Sequence, residues 1–527
     1  MIARVNTFML DGLDARRVSV EVDLRRGLPS FTIAGQTGAG MRGVRERVRT
    51  AILNSGLEFP RLRVTASVAP VGVRAASPGL DLALAVAVLA AGGQIPPGRL
   101  EQTALFGELG LDGSVRGVGG ALAVAAGTRA EGLRWLALAD ADADEAALVR
   151  GPRVVGARTL SDVVRALRGE RVERRPARVP REASGAGGGG EGIDLADVRG
   201  QAVAVRALLI AAAGGHSILL TGGPGTGKTM LARRLPTILP ALGDEEAIEV
   251  AQIASLSGER VRELVRHRPF RAPHHSITTT GMLGGGRARR LGEVVRAHNG
   301  VLFLDELCEF GRSALEGLRG PLEDGRVAVA RGAQTITYPA RFMLIAASNP
   351  CPCGYAGEGA RCQCGPRERS HHRRRLSGAL LDRIDLHAKL TRDPVLDSPP
   401  LTTSREARAQ VAEARVRQSA RDRERSRPGR PRGGLEADAR DLVRGAAEQG
   451  LLSARGAARV ERVARTIADL AGRARVRSDD VEAALALRTE AALGGGSVPE
   501  ADTGLAALKQ RPAPADDDQD GTHTRSR

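Results

Sequence analysis

The segment from Gly222 to Thr229 restricts the fold of this chain more than any other part of its sequence. It reads GGPGTGKT and satisfies the pattern G-x-x-x-x-G-K-[ST] at every fixed position. The apolar run Ser217–Thr221 before it predicts a buried parallel strand, and Met230–Leu235 after it predicts a helix. A strand, a glycine-rich loop and a helix in this order form a phosphate-binding loop. The sequence therefore predicts an α/β domain that binds a nucleotide.

Each residue type in this loop has a chemical reason. Glycines let backbone N–H groups and the helix N-terminus point at phosphate oxygens. Lys228 is placed to reach the β- and γ-phosphates, and the hydroxyl of Thr229 to bind Mg²⁺. Only three of the 78 basic residues are lysines, which indicates that Lys228 is needed where a planar guanidinium fits poorly. The predicted nucleotide-binding residues are Gly222, Gly223, Pro224, Gly225, Thr226, Gly227, Lys228 and Thr229.

Composition narrows the choice of partners. A formal net charge of +17 predicts a polyanionic partner, with nucleic acid first. A genome-wide bias toward arginine would give the same charge as a solvated surface, and this alternative stays open. Aromatic residues make up 2% of the chain, which argues against stacking platforms for bases. No apolar run reaches the roughly 18 residues of a spanning helix, and the N-terminus lacks a signal-peptide pattern. We expect a cytoplasmic protein without a membrane partner.

Changes in composition along the 527 residues predict several segments. Alternating apolar residues from Val18 to Leu24 indicate strands in the first of them, and strands alternating with helices around the phosphate loop indicate a mainly parallel sheet. The predicted segments are an α+β domain (1–168), a Gly- and Arg-rich linker (169–192), a nucleotide-binding core (193–395), a charged connector (396–434), a small helical domain (435–493) and a disordered tail (494–527).

Polar residues end two further predicted strands. The apolar run Val301–Leu304 is followed by Asp305 and Glu306, about 75 residues after the phosphate loop. Asp305 can hold Mg²⁺ through water, and Glu306 can orient or deprotonate an attacking water. Asn349 ends the apolar run Phe342–Ser348 and can fix the same water or the γ-phosphate. Alternatively, Asn349 only starts a turn before a proline.

Four of the five cysteines lie within 14 residues of each other, as Cys351, Cys353, Cys362 and Cys364. In a reducing compartment, such a paired cluster is more often a metal site than a set of disulfides. Four thiolates would form a closed, structural zinc site. Unbound thiols and a redox pair remain as alternatives, since C-x-C spacing is less usual for zinc than C-x-x-C. Cys308 is expected to be a buried cysteine that packs in the core as a small apolar side chain.

The order of these motifs resembles an AAA+ ATPase, and more narrowly the bacterial Mg-chelatase-like AAA+ family, which includes a hexameric branch-migration helicase used in natural transformation. The resemblance implies an AAA+ core with a parallel sheet, a helical lid, ATP and Mg²⁺ as ligands, and a homo-oligomeric ring, with a hexamer expected. The matching segments are Asp194–Gln201, Arg268–His275, Gly300–Leu307, Pro321–Gly325, Asn349–Gly354 and Leu380–Asp385.

The resemblance also implies roles for two arginines. Arg383 resembles the arginine finger that reaches the γ-phosphate bound by a neighbouring subunit. Such a finger raises the rate by about 10³–10⁵. Arg455 matches the sensor arginine of the lid, which couples the lid angle to the nucleotide state; Arg459 is its nearest competitor.

Two arginine-bearing segments are candidates for DNA contact. Alternating residues on both sides of a glycine turn predict a β-hairpin over Arg326–Tyr338, and such a hairpin points into the ring pore in relatives. The segment Met282–Arg290 is a glycine-rich loop followed by clustered guanidiniums, which suits contact with phosphates rather than bases. Two solvated surface loops are the alternative. The predicted DNA-binding residues are Arg287, Arg289, Arg290 and Arg331.

The segment 1–168 resembles the protease-like domain of this family, which has a fold like domain 2 of ribosomal protein S5. It contains no lysine, so it cannot form the serine–lysine dyad of the related proteases. We therefore expect a role in ring assembly or DNA positioning rather than proteolysis.

Three functions compete at this point. The first is a ring-forming ATPase and probable helicase or translocase that remodels branched DNA. The second is a Mg-chelatase-type ATPase subunit that drives metal insertion into a porphyrin, although that family lacks the N-terminal domain and the cysteine cluster. The third is a nucleotide-regulated scaffold without turnover, which conflicts with the set Lys228, Asp305, Glu306 and Arg383.

Overall fold

A computed structural model describes residues 2–34, 39–69, 78–170, 192–286, 290–331, 334–356, 361–376, 378–391, 400–425 and 434–489. By internal contacts the chain divides into two units. The first comprises Met1–Leu195 and Ala232–Ile345, and the second comprises Ala196–Leu231 and Ala346–Arg527.

The first unit contains a mixed seven-stranded sheet near the N-terminus, with strand order β3-β4-β2-β1-β5-β8-β9. Its strands and the neighbouring short pair are β1 (Ile2–Asp11), β2 (Asp14–Arg25), β3 (Ser30–Ile33), β4 (Arg63–Ala69), β5 (Thr103–Phe106), β6 (Glu108–Leu109), β7 (Val115–Arg116), β8 (Trp135–Ala139) and β9 (Arg153–Ala157). β2 pairs antiparallel with β1 and β4, whereas β5, β8 and β9 run parallel. The helices are α1 (Ala39–Asn54), α2 (Asp81–Ala91), α3 (Ala121–Ala130), α4 (Asp140–Ala146) and α5 (Leu160–Arg168).

The alternation noted in the sequence explains this sheet. In β2, Val18, Val20, Val22 and Leu24 are buried on one face, while their neighbours are exposed or half-buried. α2 is apolar on all sides because it lies in the core, where every residue from Leu82 to Leu89 is completely buried. Strands of both directions with helices packed on them agree with the predicted α+β domain.

Between residues 192 and 345, short strands and helices follow one another along the chain. These elements are α6 (Ala202–Gly214), β10 (Ile218–Thr221), α7 (Lys228–Ile238), α8 (Asp244–Leu256), β11 (Phe270–Arg271), α9 (Thr279–Leu283), β12 (Gly284–Gly285), β13 (Arg290–Leu291), α10 (Glu293–Arg296), β14 (Val301–Leu304), α11 (Arg312–Gly317), α12 (Arg319–Asp324), β15 (Arg326–Arg331) and β16 (Gln334–Pro339). β15 and β16 pair antiparallel, which confirms the predicted hairpin.

The remaining described elements include one strand that crosses the unit boundary and the helices of the C-terminal region. They are β17 (Met343–Ser348), α13 (Pro366–Arg374), α14 (Gly378–Leu381), β18 (Leu386–Lys389), α15 (Ser404–Arg425), α16 (Ala437–Glu448), α17 (Ala454–Leu470) and α18 (Ser478–Thr489). α17 packs on α18, α15 and α6. Its start is capped by Ser453, whose Oγ accepts a hydrogen bond from the N–H of Gly456.

The second sheet has five strands in the order β11-β14-β17-β10-β18. β11 and β14 pair parallel in the first unit, and β10 and β18 pair parallel in the second. All residues of β10, β14 and β17 are buried, which accounts for their uninterrupted apolar sequences. The predicted α/β class with a parallel sheet is confirmed. Within the described ranges, no helix combines the length and apolar character needed to cross a membrane.

Candidate nucleotide-binding site

The phosphate loop connects β10 to α7 through a backbone that requires glycine. Gly225 and Gly227 have φ values of +75° and +91°, a region that other residues rarely adopt. A Cβ atom on Gly222 would lie 2.8 Å from the carbonyl oxygen of Leu390. Thr226 stabilises the curvature of the loop, because its Oγ1 donates a hydrogen bond to the carbonyl oxygen of Gly223 at 2.9 Å. These features hold the loop in a tightly curved conformation, the backbone form expected of a phosphate-binding loop.

Lys228 and Asn349 are brought together in the second unit. The Nζ of Lys228 donates to the carbonyl oxygens of Gly222 and Gly223 at 2.7 and 2.8 Å, and to Oδ1 of Asn349 at 3.1 Å. The N–H of Gly222 also bonds to the carbonyl oxygen of Ser348, 3.3 Å away. The end of β17 therefore lies beside the phosphate loop, and the role of Asn349 towards a water or the γ-phosphate stays a prediction.

Asp305 and Glu306 follow β14 in the first unit. Glu306 has a φ of +52°, which is unusual for a residue with a side chain, and such strain is concentrated at functional sites. Its N–H donates to Oδ1 of Asp305 at 3.0 Å. Oε2 of Glu306 lies 3.7 Å from Nδ1 of His275, a residue to which the sequence assigned no role. The strand thus ends in a sharp turn that carries both acids.

Arg383 is 93% buried, with only 7% of its surface exposed. Its Nη1 donates to the carbonyl of Ala379 at 2.7 Å. Its own carbonyl oxygen accepts hydrogen bonds from Oγ of Ser217 at 3.0 Å and from Nη1 of Arg459 at 2.6 Å. In this conformation the guanidinium lies inside its own chain, and its role towards a neighbouring subunit stays a prediction.

Asp385, two residues later, is the centre of a buried polar network that the sequence analysis missed. Its carboxylate accepts hydrogen bonds from the N–H and Oγ of Ser217, both at 3.1 Å, and from Nη1 of Arg459 at 2.8 Å. Arg462 adds a contact of 3.2 Å. Burial opposes ionisation, but His216, Arg462 and Arg459 outweigh it and hold the pKa of Asp385 well below its usual range. The network joins the Arg383 segment to α17.

The two candidate lid arginines, Arg455 and Arg459, differ in their relation to this network. Arg459 is engaged with Asp385, and only 13% of its side chain is exposed. Arg455 lies one helical turn earlier, in the exposed first turn of α17. Arg459 thus contributes to the packing of α17 on the Asp385 segment, and the response of Arg455 to the nucleotide stays a prediction. Asp385 belongs to the motif Leu380–Asp385 noted in the sequence, but sequence spacing does not reveal that its carboxylate pairs with α17.

The four clustered cysteines converge on one point in the second unit. The Sγ of Cys351 lies 3.3 Å from that of Cys353 and 3.9 Å from that of Cys362, and the Cys353–Cys362 distance is 3.8 Å. With Cys364 included, all four sulfurs lie within 4.8 Å of one another. Four thiolates 2.3 Å from a tetrahedral zinc ion are separated by about 3.8 Å. The donor set therefore fits zinc.

The sulfurs differ in their environment. Burial, together with the thiol of Cys353, raises the pKa of Cys351 to about 12. The backbone N–H of Tyr355 lowers the pKa of Cys353 to about 6. Binding of a metal by the cluster would release the protons that its thiols still hold.

The predicted DNA-contacting residues are only partly described. Arg287 and Arg289 lie outside the described residues. Arg290 is exposed at the start of β13, which pairs with β12, and Arg331 ends β15 opposite Gln334. β12 also contacts β15. The strands that carry Arg290 and Arg331 are thus linked through β12.

Comparison with known proteins places the chain in a family. The model for magnesium chelatase, subunit ChlI, matches residues 194–396, that for subunit ChlI of Mg-chelatase matches 20–142, and that for the ChlI C-terminal part matches 402–488. The protein YifB of Escherichia coli is 40% identical over 481 residues, which cover 88% of this chain and 93% of YifB. The competence protein ComM of Haemophilus influenzae is 37% identical over 494 residues, which cover 90% of this chain and 95% of ComM.

A magnesium-chelatase 38 kDa subunit of Acidiphilium rubrum is more distant. It is 28% identical over 177 residues, which cover 29% of this chain and 51% of the subunit. YifB and ComM, in contrast, match over most of their length and of this chain, and the family implies a nucleotide and Mg²⁺ as ligands. The chain belongs to the Mg-chelatase-like family of ATPases of the YifB and ComM type.

Proposed function

We propose that this protein is a ring-forming ATPase that acts on DNA and remodels branched recombination intermediates. The observation that carries the ATPase part is the contact of Lys228 with both the phosphate loop and Asn349. The DNA part is supported by the arginine-bearing strands β13 and β15, by the charge of +17 and by the competence protein among the relatives.

In this proposal, Lys228 exchanges its carbonyl partners for the β- and γ-phosphates of ATP. Thr229 and Asp305 would hold Mg²⁺, which when bound would neutralise charge on the phosphates. Glu306 orients and deprotonates the attacking water, and Asn349 fixes that water or the γ-phosphate. The exchange at Lys228 costs little, because its present partners are neutral carbonyl groups and phosphate oxygens are charged.

Two arginines complete the reaction in an oligomer. Arg383 supplies positive charge to the γ-phosphate bound by the neighbouring subunit, and Arg455 reports the nucleotide state to the lid. Because Arg383 is buried in the isolated chain, ring assembly must release its guanidinium from the carbonyl of Ala379. A hexamer is the expected ring.

DNA contact is assigned to Arg287, Arg289, Arg290 and Arg331. Guanidiniums on a glycine-rich loop and a hairpin contact phosphates without reading bases. The contact between β12 and β15 allows both segments to move together as the ring hydrolyses ATP. Movement of one hairpin per subunit would advance DNA through the pore.

The experiment compares ATPase rates without DNA and with single-stranded, duplex or forked DNA. We expect stimulation by DNA, strongest with the branched substrate, and no hydrolysis in Lys228→Ala protein, which controls for contaminating ATPases. An active enzyme that no DNA stimulates would contradict the DNA assignment. The alternative, a chelatase-type ATPase subunit, predicts activity that responds to a porphyrin-binding partner and not to DNA.

A further inference from the structure

The loop that carries the first two clustered cysteines is packed directly on the phosphate loop. Gly354 has a φ of +83°, and a Cβ atom at this position would lie only 2.5 Å from Cδ of Pro224. No side chain fits between the two loops. The N–H of Gly354 closes a turn onto the carbonyl of Cys351 at 2.9 Å. The position of Cys351 and Cys353 therefore determines how the cysteine loop supports Pro224.

The second pair of cysteines is connected to Asn349 by a different route. Cys364 is followed by Gly365, the N-cap of α13. On the last turn of α13, His372 is buried, and its Nε2 lies 3.1 Å from the carbonyl oxygen of Asn349. Asn349 in turn accepts the hydrogen bond from Lys228. A metal ion that joins the two cysteine pairs would thus connect Asn349 to α13 from both sides, through Cys351 and through His372.

We propose that a zinc ion bound by Cys351, Cys353, Cys362 and Cys364 positions Asn349 and the phosphate loop, so that nucleotide binding and turnover depend on zinc. The inference rests on the proposed ATP hydrolysis at the same site. It goes beyond a stabilising role, because the two routes from the cluster end on Pro224 and on Asn349.

The chemistry favours zinc over the hard divalent cations. Thiolates are soft ligands that do not suit Mg²⁺ or Ca²⁺, and four of them leave no open position on a tetrahedral ion. The metal therefore takes no part in hydrolysis. Its effect is mechanical: it replaces weak thiol contacts by bonds that hold residues 349–354 against the phosphate loop and α13.

The first measurement is metal content. Full-length protein purified without chelator should contain about one zinc per chain, and Co²⁺ exchanged into the site should show the thiolate charge-transfer absorption of a tetrahedral sulfur site. Cys362→Ser should reduce the zinc content at least tenfold. Cys308→Ala is the matched control, because Cys308 lies outside the cluster, and it should retain zinc.

The second measurement is affinity for a fluorescent ATP analogue. We expect Cys362→Ser, or wild-type protein stripped by a chelator, to bind the analogue about tenfold more weakly and to recover when zinc is returned. Gly354→Ala should keep its zinc and still lose affinity, because the added methyl group displaces Pro224. A purely stabilising metal would not give this separation.

A double-mutant cycle tests the route through Asn349. If zinc acts by positioning this residue, Asn349→Ala combined with Cys362→Ser should lower turnover no further than the more severe single change. Circular dichroism checks that each variant is folded, and the chelator experiment replaces any variant that is not.

Two results would overturn the inference: wild-type protein that binds no zinc when zinc is supplied, or zinc-free folded protein with unchanged affinity and turnover. Failure of the proposed function gives a different pattern. Protein that binds the nucleotide in a zinc-dependent way but never hydrolyses it would refute the ATPase assignment and leave the zinc dependence of binding intact.

Discussion

Replacing Asp385 by Asn tests whether the buried network around β10 and α17 holds the second unit together. The substitution keeps the size of the side chain, removes its charge and places an NH₂ group among donors. Arg459 would lose its carboxylate partner while 13% of its side chain is exposed, whereas Arg462, with 61% exposed, can turn to solvent. The two arginines share one carboxylate and so provide an internal comparison.

The expected loss of stability in Asp385→Asn follows from the burial of the ion pair. Removing one partner of a buried ion pair costs about 3–5 kcal/mol. Asn retains one acceptor oxygen, and Arg459 keeps its hydrogen bond to the carbonyl of Arg383, so we expect about 3 kcal/mol. That loss corresponds to about 150-fold in the opening equilibrium. Because the pKa of folded Asp385 is depressed, its contribution is complete above the unfolded pKa of about 3.9 and is lost as the pH falls below it.

The assay is hydrogen exchange followed by mass spectrometry at neutral pH, which reports local opening free energies. In Asp385→Asn, amides of β10, β18 and α17 should exchange about 150-fold faster, while β1 and β2 in the first unit stay unchanged. Arg459→Ala should resemble Asp385→Asn. Arg462→Ala is the matched control and should cost at most about 1 kcal/mol, because 61% of the Arg462 side chain is exposed to solvent. Equal effects of Arg459→Ala and Arg462→Ala, or unchanged exchange in Asp385→Asn, would refute the reasoning.

Four further predictions address the proposed activity and the pH response. Lys228→Ala should lose nucleotide binding by at least about 100-fold, whereas Glu306→Gln should bind normally and lose turnover, as measured by analogue fluorescence and phosphate release; equal affinity of Lys228→Ala and wild type would contradict the assignment. Arg383→Ala should lower ATPase by about 10³, and mixing it with Lys228→Ala protein should restore activity in shared rings; absence of recovery despite co-assembly would exclude action in trans. Arg331→Ala should weaken binding to all DNA sequences alike and lower the salt slope by about one unit, with basal ATPase near wild type; an unchanged slope in the Arg331→Ala, Arg289→Ala double variant would move DNA contact elsewhere. Burial and the charge of Arg488 lower the pKa of His387 to about 4, so stability should fall by up to about 3 kcal/mol between pH 6.5 and 4, where the unfolded chain takes up the proton first; His387→Gln should remove this slope in urea titrations.

Local sequence signals were sufficient for the elements that carry the site. The phosphate loop is identified by its glycines and Lys228, because positive φ and close backbone approach are properties of single residues. β10, β14 and β17 are identified by unbroken apolar runs, since a strand buried on both faces has no polar side to show. The hairpin β15–β16 followed from alternation on both sides of a glycine turn.

Contacts between distant parts of the chain were decided only by the tertiary structure. Lys228 and Asn349 are 121 residues apart, and the strand order brings them together. Packing of α17 places Arg459 on Asp385, 74 residues away along the chain, a contact that sequence spacing does not reveal. The spacing of the cysteines predicted a metal site, but the close approach of Gly354 in their loop to Pro224 depends on how two loops pack. Sequence periodicity specifies which face of an element is buried, whereas the partner of that face is set by the three-dimensional order of strands and helices.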